Sequence, residues 1–310
     1  MLEDKSVLIS LVVPVFNEEE SIETFLSAIA STLSDVNYEV IFINDGSTDD
    51  TLQVLFSQKS KYSFLKIIDL SRNFGKEAAL SAGLAKAKGN AIIPIDVDLQ
   101  DPPEVILEML MKWRDGYEVV LAKRVDRQSD SWPKRASANW FYKIHNFIAK
   151  PKLPDNVGDF RLMDRVVVDA INQLPESRRF MKGLFAWVGF HTTTIEYARP
   201  HRIAGTSKFN GWNLWNFALE GLTSFSTAPL RIWTYVGSLV SLASFIFATL
   251  IIVKYFTQGV EVPGYASIMV AVTFLGGLQL IGIGVLGEYL GRTYIESKRR
   301  PVFVVRKTYE

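Results

Sequence analysis

Two apolar segments near the C-terminus constrain this chain more than any other feature. The first runs from about Ile232 to Val253, between Arg231 and Lys254. The second runs from about Tyr265 to Leu286, with Glu288 and Arg292 beyond it. A bilayer span needs about 20 largely apolar residues, and both segments reach that length with no internal charge. Their Gly, Ser and Thr residues are tolerated in such helices and help them pack. The connection Tyr255 to Gly264 has Glu261 as its one charged residue. Arg202, Lys208 and Arg231 precede the pair, and Arg292, Lys298, Arg299 and Arg300 follow it. The positive-inside rule then puts both flanks in the cytoplasm. The expected organisation is a cytoplasmic domain over 1–200, a juxtamembrane region over 201–230, two transmembrane helices within 231–291 and a basic cytoplasmic tail over 292–310. That is a multi-pass protein of the inner membrane, with no signal-peptide pattern at its N-terminus.

Ahead of the membrane pair, strand-like and helix-like patterns alternate. Val7–Val15, Tyr38–Ile43, Phe64–Leu70 and Ala91–Ile95 are short apolar runs, the first three rich in β-branched or aromatic residues. Between them lie helical patterns over Glu18–Leu33, Thr51–Gln58 and Glu77–Ala87. A helix over Pro103–Trp113 and a strand over Glu118–Ala122 follow. Such alternation predicts an α/β fold with a mostly parallel sheet covered on both faces. In those sheets ligands sit beyond the carboxyl ends of the strands. The polar motifs fall there: Asn17-Glu18, Asp45-Gly46, Asn73-Phe74-Gly75-Lys76 and Asp96-Val97-Asp98.

The fourth run ends in Asp96-Val97-Asp98-Leu99-Gln100-Asp101-Pro102-Pro103. Two carboxylates two residues apart suit a hard divalent cation, Mg²⁺ or Mn²⁺, that bridges to substrate phosphates. A solvated acidic turn would give the same spacing; the convergence of the other motifs favours a site.

Other chemistries lack their residues. The chain has no Cys, and its three histidines, His145, His191 and His201, lack zinc-site spacing. Neither the dinucleotide nor the P-loop glycine pattern is present. A net charge of +1 gives no footprint for nucleic acid. Ala136–Ala149 and Phe209–Phe225 have Trp-containing amphipathic patterns with basic margins, suited to a membrane surface or to packing on a domain core.

Six motifs in order resemble the family 2 inverting glycosyltransferases of the GT-A fold. They are Val13-Pro14-Val15-Phe16-Asn17-Glu18-Glu19, Asn44-Asp45-Gly46-Ser47-Thr48-Asp49, Arg72-Asn73-Phe74-Gly75-Lys76, Asp96 to Glu104, Gly158-Asp159-Phe160-Arg161-Leu162-Met163 and Arg202-Ile203-Ala204-Gly205-Thr206-Ser207-Lys208. With the two-helix C-terminus, the resemblance is to the polyprenyl-phosphate branch, which includes dolichyl-phosphate mannose synthases and bacterial undecaprenyl-phosphate glucosyltransferases.

The resemblance implies transfer of a sugar, foremost glucose from UDP-glucose, onto undecaprenyl phosphate. GDP-mannose or a UDP-aminosugar would be the alternative donor. Pro14, Phe16, Glu18, Asp45, Gly75 and Lys76 would line the nucleotide-sugar pocket, with Asp45 on the base. Asp96 would bind the donor beside the metal, and Asp98 and Gln100 would hold the metal. Arg124, Arg202, Ser207 and Lys208 would meet the acceptor phosphate.

Asp159 matches a general base in relatives that glycosylate hydroxyls. A phosphate monoester is already ionised near neutral pH, so here Asp159 is expected to orient the acceptor or a neighbouring cation, with Asp96 and Asp98 completing the catalytic carboxylates. Expected partners are the bilayer, a downstream flippase, a transferase that uses the lipid-linked sugar, and a second copy in a homo-oligomer. A processive polysaccharide synthase would carry Gln-x-x-Arg-Trp, which this sequence lacks. A non-catalytic scaffold would have no need of Asp96, Asp98 and Gln100.

Overall fold

The computed structural model describes residues 7–125, 152, 154, 156–177, 179–198, 226–258 and 264–310. These fall into two compact units, one within Met1–Gly221 together with Arg300–Glu310, the other within Leu222–Arg299.

The first unit is built on one eight-stranded sheet. In chain order its strands are β1 Ile9–Val15, β2 Tyr38–Asn44, β3 Leu65–Leu70, β4 Ala91–Pro94, β5 Val119–Arg124, β6 Val157–Asp164, β7 Thr192–Tyr197 and β8 Val305–Tyr309. Its helices are α1 Ile22–Thr32, α2 Thr51–Lys59, α3 Lys76–Lys86, α4 Glu104–Arg114, α5 Arg165–Asn172 and α6 Met181–Trp187. The strand order is β7-β5-β6-β4-β1-β2-β3-β8. The block β4-β1-β2-β3 is parallel, as the alternating pattern predicts. Strand β6 runs antiparallel to both β4 and β5.

The central strands are apolar because both faces are covered. Ile9, Leu11, Val12, Val13 and Val15 of β1 are at most 2% exposed. Phe25 of α1 meets Phe42 of β2 edge-on, with ring centroids 5.8 Å apart. Gly83 of α3 permits a close approach: a Cβ there would lie 2.3 Å from Val12 Cγ1.

The register also explains two prolines in central strands. Pairing of β1 with β4 ends at Val12 opposite Pro94, with one further bond from Ile95 N–H to Val12 O at 3.0 Å. Proline lacks the donor needed to extend a ladder. Beyond that point the two strands part, and Pro14, Pro94, Ile95 and Asp96 line the gap.

The basic tail contributes a strand to the first unit: β8 pairs antiparallel with β3, from Ile67 opposite Tyr309 to Leu70 opposite Val305. Arg306 lies 3.5 Å from the Asp69 carboxylate, and Tyr309 packs edge-on against Phe56 at 4.7 Å.

The second unit is a helical pair, α7 Ala228–Gln258 and α8 Tyr265–Ser297. Tyr289 donates from its hydroxyl to Ser226 O at 2.6 Å, and Gly282 faces the Trp233 ring. These contacts join the end of one helix to the start of the other. Tyr235, Leu239, Phe245, Leu280 and Leu290 are each at least 69% exposed, an apolar surface that water would penalise. Among the described residues, Phe274–Ser297 is long and apolar enough to cross a membrane, and Tyr235–Phe247 is a shorter apolar stretch. The amphipathic segments over 136–149 and 209–225 lie outside the described residues, as do Arg202, Ser207 and Lys208.

Candidate active site

The loops after β1, β2 and β3 are held to one another by side-chain-to-backbone bonds. Asn17 has φ 55°, a left-handed conformation that Asn tolerates better than most residues. Its Oδ1 accepts from Thr48 N–H at 2.8 Å, and its own N–H donates to Ser47 Oγ at 3.0 Å. Glu18 N–H donates to Thr51 Oγ1 at 2.9 Å, and the Glu19 carboxylate accepts from Asp50 N–H at 2.8 Å. Helix α1 therefore starts at Ile22 and not at Glu18 as expected: the glutamates before it serve the loop. Phe16 and Glu18 are half-buried at this position.

Asp45, 3% exposed, ties β2 to the next loop. Its two oxygens accept from Phe74 N–H at 2.7 Å and Gly75 N–H at 2.9 Å. Burial pushes this carboxyl up, against the opposing pull of those N–H groups and Arg72. The structure thus gives Asp45 the task of shaping the Arg72–Gly75 loop.

Gly46 beside it has φ 67°, and a Cβ there would meet Arg72 C and Asn73 N at 2.5 Å. Neither backbone atom is free to retreat while Asp45 holds the loop. Gly46→Ala is expected to cost about 2–4 kcal/mol. It should lower the denaturation midpoint, which thermal melting followed by circular dichroism measures.

At the start of α3, Lys76 reaches across the gap between strands. Its Nζ lies 2.7 Å from Asp96 Oδ1 and 3.1 Å from Asp159 Oδ2. Burial would lower its pKa, but the two carboxylates outweigh that and raise it well above the ordinary lysine range. Burial likewise opposes charge on Asp159. Lys76, Lys182 and Arg161 prevail and bring its carboxyl down to about 2. Asp159 Oδ1 is buried and has no hydrogen-bond partner among the described residues. Glu77 goes the other way: burial and the Asp159 charge push it up to about 8, against the N–H that Met181 donates at 3.1 Å.

A second cluster closes the far side. Tyr197 donates its hydroxyl to Asp101 and accepts from Arg124 Nε at 3.1 Å. Arg124 lies 3.8 Å from Asp101, which is 3% exposed. The open cleft between these groups is lined by Pro14, Lys76, Asp96, Arg124, Asp159 and Lys182 among others.

The turn that follows Asp96 offers hard oxygen donors. Leu99 has φ 53°, and Asp98 Oδ1 accepts from Gln100 N–H at 3.2 Å. Gln100 is 9% exposed. Among the described residues no group of three or more His, Cys, Asp or Glu side chains forms a cage for an ion. Asp96, Asp98 and the Gln100 amide fit Mg²⁺ or Mn²⁺ of the kind that takes one or two carboxylates and fills its shell with substrate phosphates and water.

The structure therefore brings Pro14, Lys76, Asp96, Arg124 and Asp159 into one cleft. It places Asp98 and Gln100 on the adjoining turn, and Asp45 and Gly75 in the supporting loops. Lys182, Arg161, Glu77 and the Asp101–Tyr197 pair escaped the sequence reading. Asp101 stands within a quoted motif, and Arg161 lies two residues from Asp159 on a strand, hence on the same face. Lys182 carries no local signal.

Comparison with known proteins settles the family. The model for glycosyl transferase family 2 matches residues 10–171. The chain belongs to glycosyltransferase family 2. Within this family 2 glycosyltransferase, residues 228–293 also match the GtrB C-terminal hairpin. The bactoprenol glucosyl transferase of Shigella phage SfII is 54% identical over 303 residues, covering 97% of this chain and 98% of that protein. An uncharacterized glycosyltransferase of Synechocystis is 53% identical over 302 residues, covering 97% and 95%. Glucosyl-3-phosphoglycerate synthase from Mycobacterium tuberculosis, solved with Mn²⁺, UDP-glucose and phosphoglyceric acid, shares the fold. Its TM-score is 0.51 at 18% identity, over 72% of this chain and 80% of that one.

Proposed function

We propose that this chain transfers glucose from UDP-glucose to a polyprenyl phosphate such as undecaprenyl phosphate, with inversion at the anomeric carbon. The observation that carries the reading is Lys76, which holds the carboxylates of Asp96 and Asp159 together in a cleft at the strand ends. Near-full-length relatives named bactoprenol glucosyl transferase support it. The two helices, α7 and α8, would anchor the enzyme in the inner membrane, with the catalytic domain and both termini in the cytoplasm.

In this reading Pro14, Phe16, Glu18, Asp45, Gly75 and Lys76 shape the donor pocket, and Asp96 binds the nucleotide sugar. A divalent cation held by Asp98 and Gln100 beside Asp96 would neutralise charge on the departing diphosphate. Arg124, with Arg202, Ser207 and Lys208, would receive the acceptor phosphate. A guanidinium suits this because it presents donors in a fork.

Asp159 is a poor proton acceptor at a pKa of about 2. A lipid phosphate makes no such demand, since its second pKa of about 6 leaves it largely dianionic near neutrality. Asp159 then acts by fixing Lys76.

The test is release of UDP that requires both a divalent metal and lipid phosphate, with labelled glucose moving into organic solvent. The rate should rise with pH through about 6 as the acceptor ionises. Asp159 stays ionised across that range and contributes nothing to this limb. Asp159→Asn should therefore lower the rate about tenfold and leave the limb in place. A loss of several decades with a displaced limb would restore the general-base role, which is typically worth about a hundred- to ten-thousandfold.

A further inference from the structure

We propose that Lys182 is an additional binding residue for the phosphate of the acceptor, a phosphate monoester. The inference rests on the lipid-phosphate reading above. It begins with the cations that line the cleft among the described residues: Lys76, Arg124 and Lys182. Lys76 is engaged by Asp96 and Asp159. Arg124 is engaged by Asp101 and Tyr197. Lys182 forms no ion pair or hydrogen bond among the described residues, and its charge acts on Asp159 and Glu77 only through space.

Its backbone is nevertheless firmly placed. Phe180 and Met181 on one side and Leu184 on the other are at most 2% exposed. Met181 N–H is held by the Glu77 carboxylate at 3.1 Å, and Ser81 Oγ lies 3.8 Å from Met181 Sδ. These bonds dock the first turn of α6 on α3. They present Lys182, a half-buried residue, at the cleft wall.

The charge balance selects which anion. The lining carboxylates Asp96, Asp101 and Asp159 match the three lining cations. An incoming phosphate dianion beside the ionised Asp159 would be repelled without a cation between them. Lys182 shares the cleft wall with Asp159, which the proposed reading gives to the acceptor, whereas Lys76 is already taken up by Asp96 and Asp159. The uncommitted charge therefore belongs to the acceptor phosphate and not to the donor diphosphate.

The experiment uses the full chain in detergent with UDP-glucose and a short-chain polyprenyl phosphate. Lys182→Met keeps the aliphatic stem and removes the charge; Lys182→Arg keeps the charge. The Met variant should raise KM for the acceptor about ten- to hundredfold. Its affinity for UDP should stay within about twofold of wild type, and the Arg variant should recover most of the loss. Phosphorus NMR of the prenyl phosphate, without donor, should show weaker binding to the Met variant. An unchanged acceptor KM overturns the inference. A matching loss of UDP affinity also overturns it, by assigning Lys182 to the donor. If the wild-type enzyme transfers nothing to any polyprenyl phosphate, the underlying functional reading has failed instead.

Discussion

Lys76→Met is expected to lower kcat/KM for glucosyl transfer about a hundred- to a thousandfold, the usual loss when a preorganised charge is removed from a reacting centre. The Lys76 ammonium sits between Asp96 at 2.7 Å and Asp159 at 3.1 Å, so one cation bridges both carboxylates. Without it the two acids repel each other and any phosphate that approaches. The damage should fall on rate more than on stability. The Lys76 side chain is 46% exposed, and solvent screens much of what such a pair gives to folding.

A second signature is acid response. Asp159 at about 2 lies below its unfolded value of about 3.9, so it stabilises the fold above the unfolded value. That contribution is lost as pH falls through about 2. The Met variant lets the Asp159 carboxyl rise, so its stability should change less between about pH 4 and pH 2. Steady-state rates and acid melting curves followed by circular dichroism measure both effects. A rate loss smaller than about tenfold would remove Lys76 from the centre of the site.

Ending the chain at Arg300 is expected to damage the first unit more than any single substitution. The deletion removes β8 and leaves the β3 edge unpaired. Asp69, 3% exposed, loses Arg306 and keeps Asn44 Nδ2 at 2.8 Å. Phe56 loses Tyr309, and Ser71 N–H loses Val304 O at 2.9 Å, just before the loop that leads to Lys76. The expected loss is about 3–5 kcal/mol, or roughly 10 °C in midpoint, with aggregation on expression. Arg306→Ala separates the ion pair from the strand. Its side chain is 61% exposed, so the substitution should cost no more than about 1 kcal/mol. A truncated chain that melts like the full one would show β8 to be dispensable.

What the sequence made legible follows from burial. Strands β1 to β4 read clearly because a central parallel strand is apolar on both faces, and each ends where polar motifs gather. Strand β6 did not, because Asp159 and Arg161 interrupt its apolar pattern while facing charged neighbours. Strand β7 reads Thr-Thr-Thr-Ile-Glu-Tyr, the composition of an edge with one wet face.

The site was legible where a motif holds both chemistry and position, as in Asp96 and Lys76. It was not where a side chain is recruited from a distant element. Lys182 stands 106 residues beyond Lys76 in the chain and acts on the same Asp159. Asp45 shows a subtler limit: a carboxylate expected on the nucleotide has both oxygens bonded to a neighbouring loop.

The position of β8 after the hairpin has a consequence for how the enzyme is made. Translation delivers β1 to β7 first, then α7 and α8, and the closing strand last. Domains begin to fold from the N-terminus during synthesis, so a nascent sheet waits at the ribosome with its β3 side open. A product cut short before the hairpin lacks the anchor and the last strand together. The catalytic sheet is thus completed only after the hairpin has been synthesised. Premature termination anywhere ahead of the tail therefore leaves the β3 edge of the sheet unpaired.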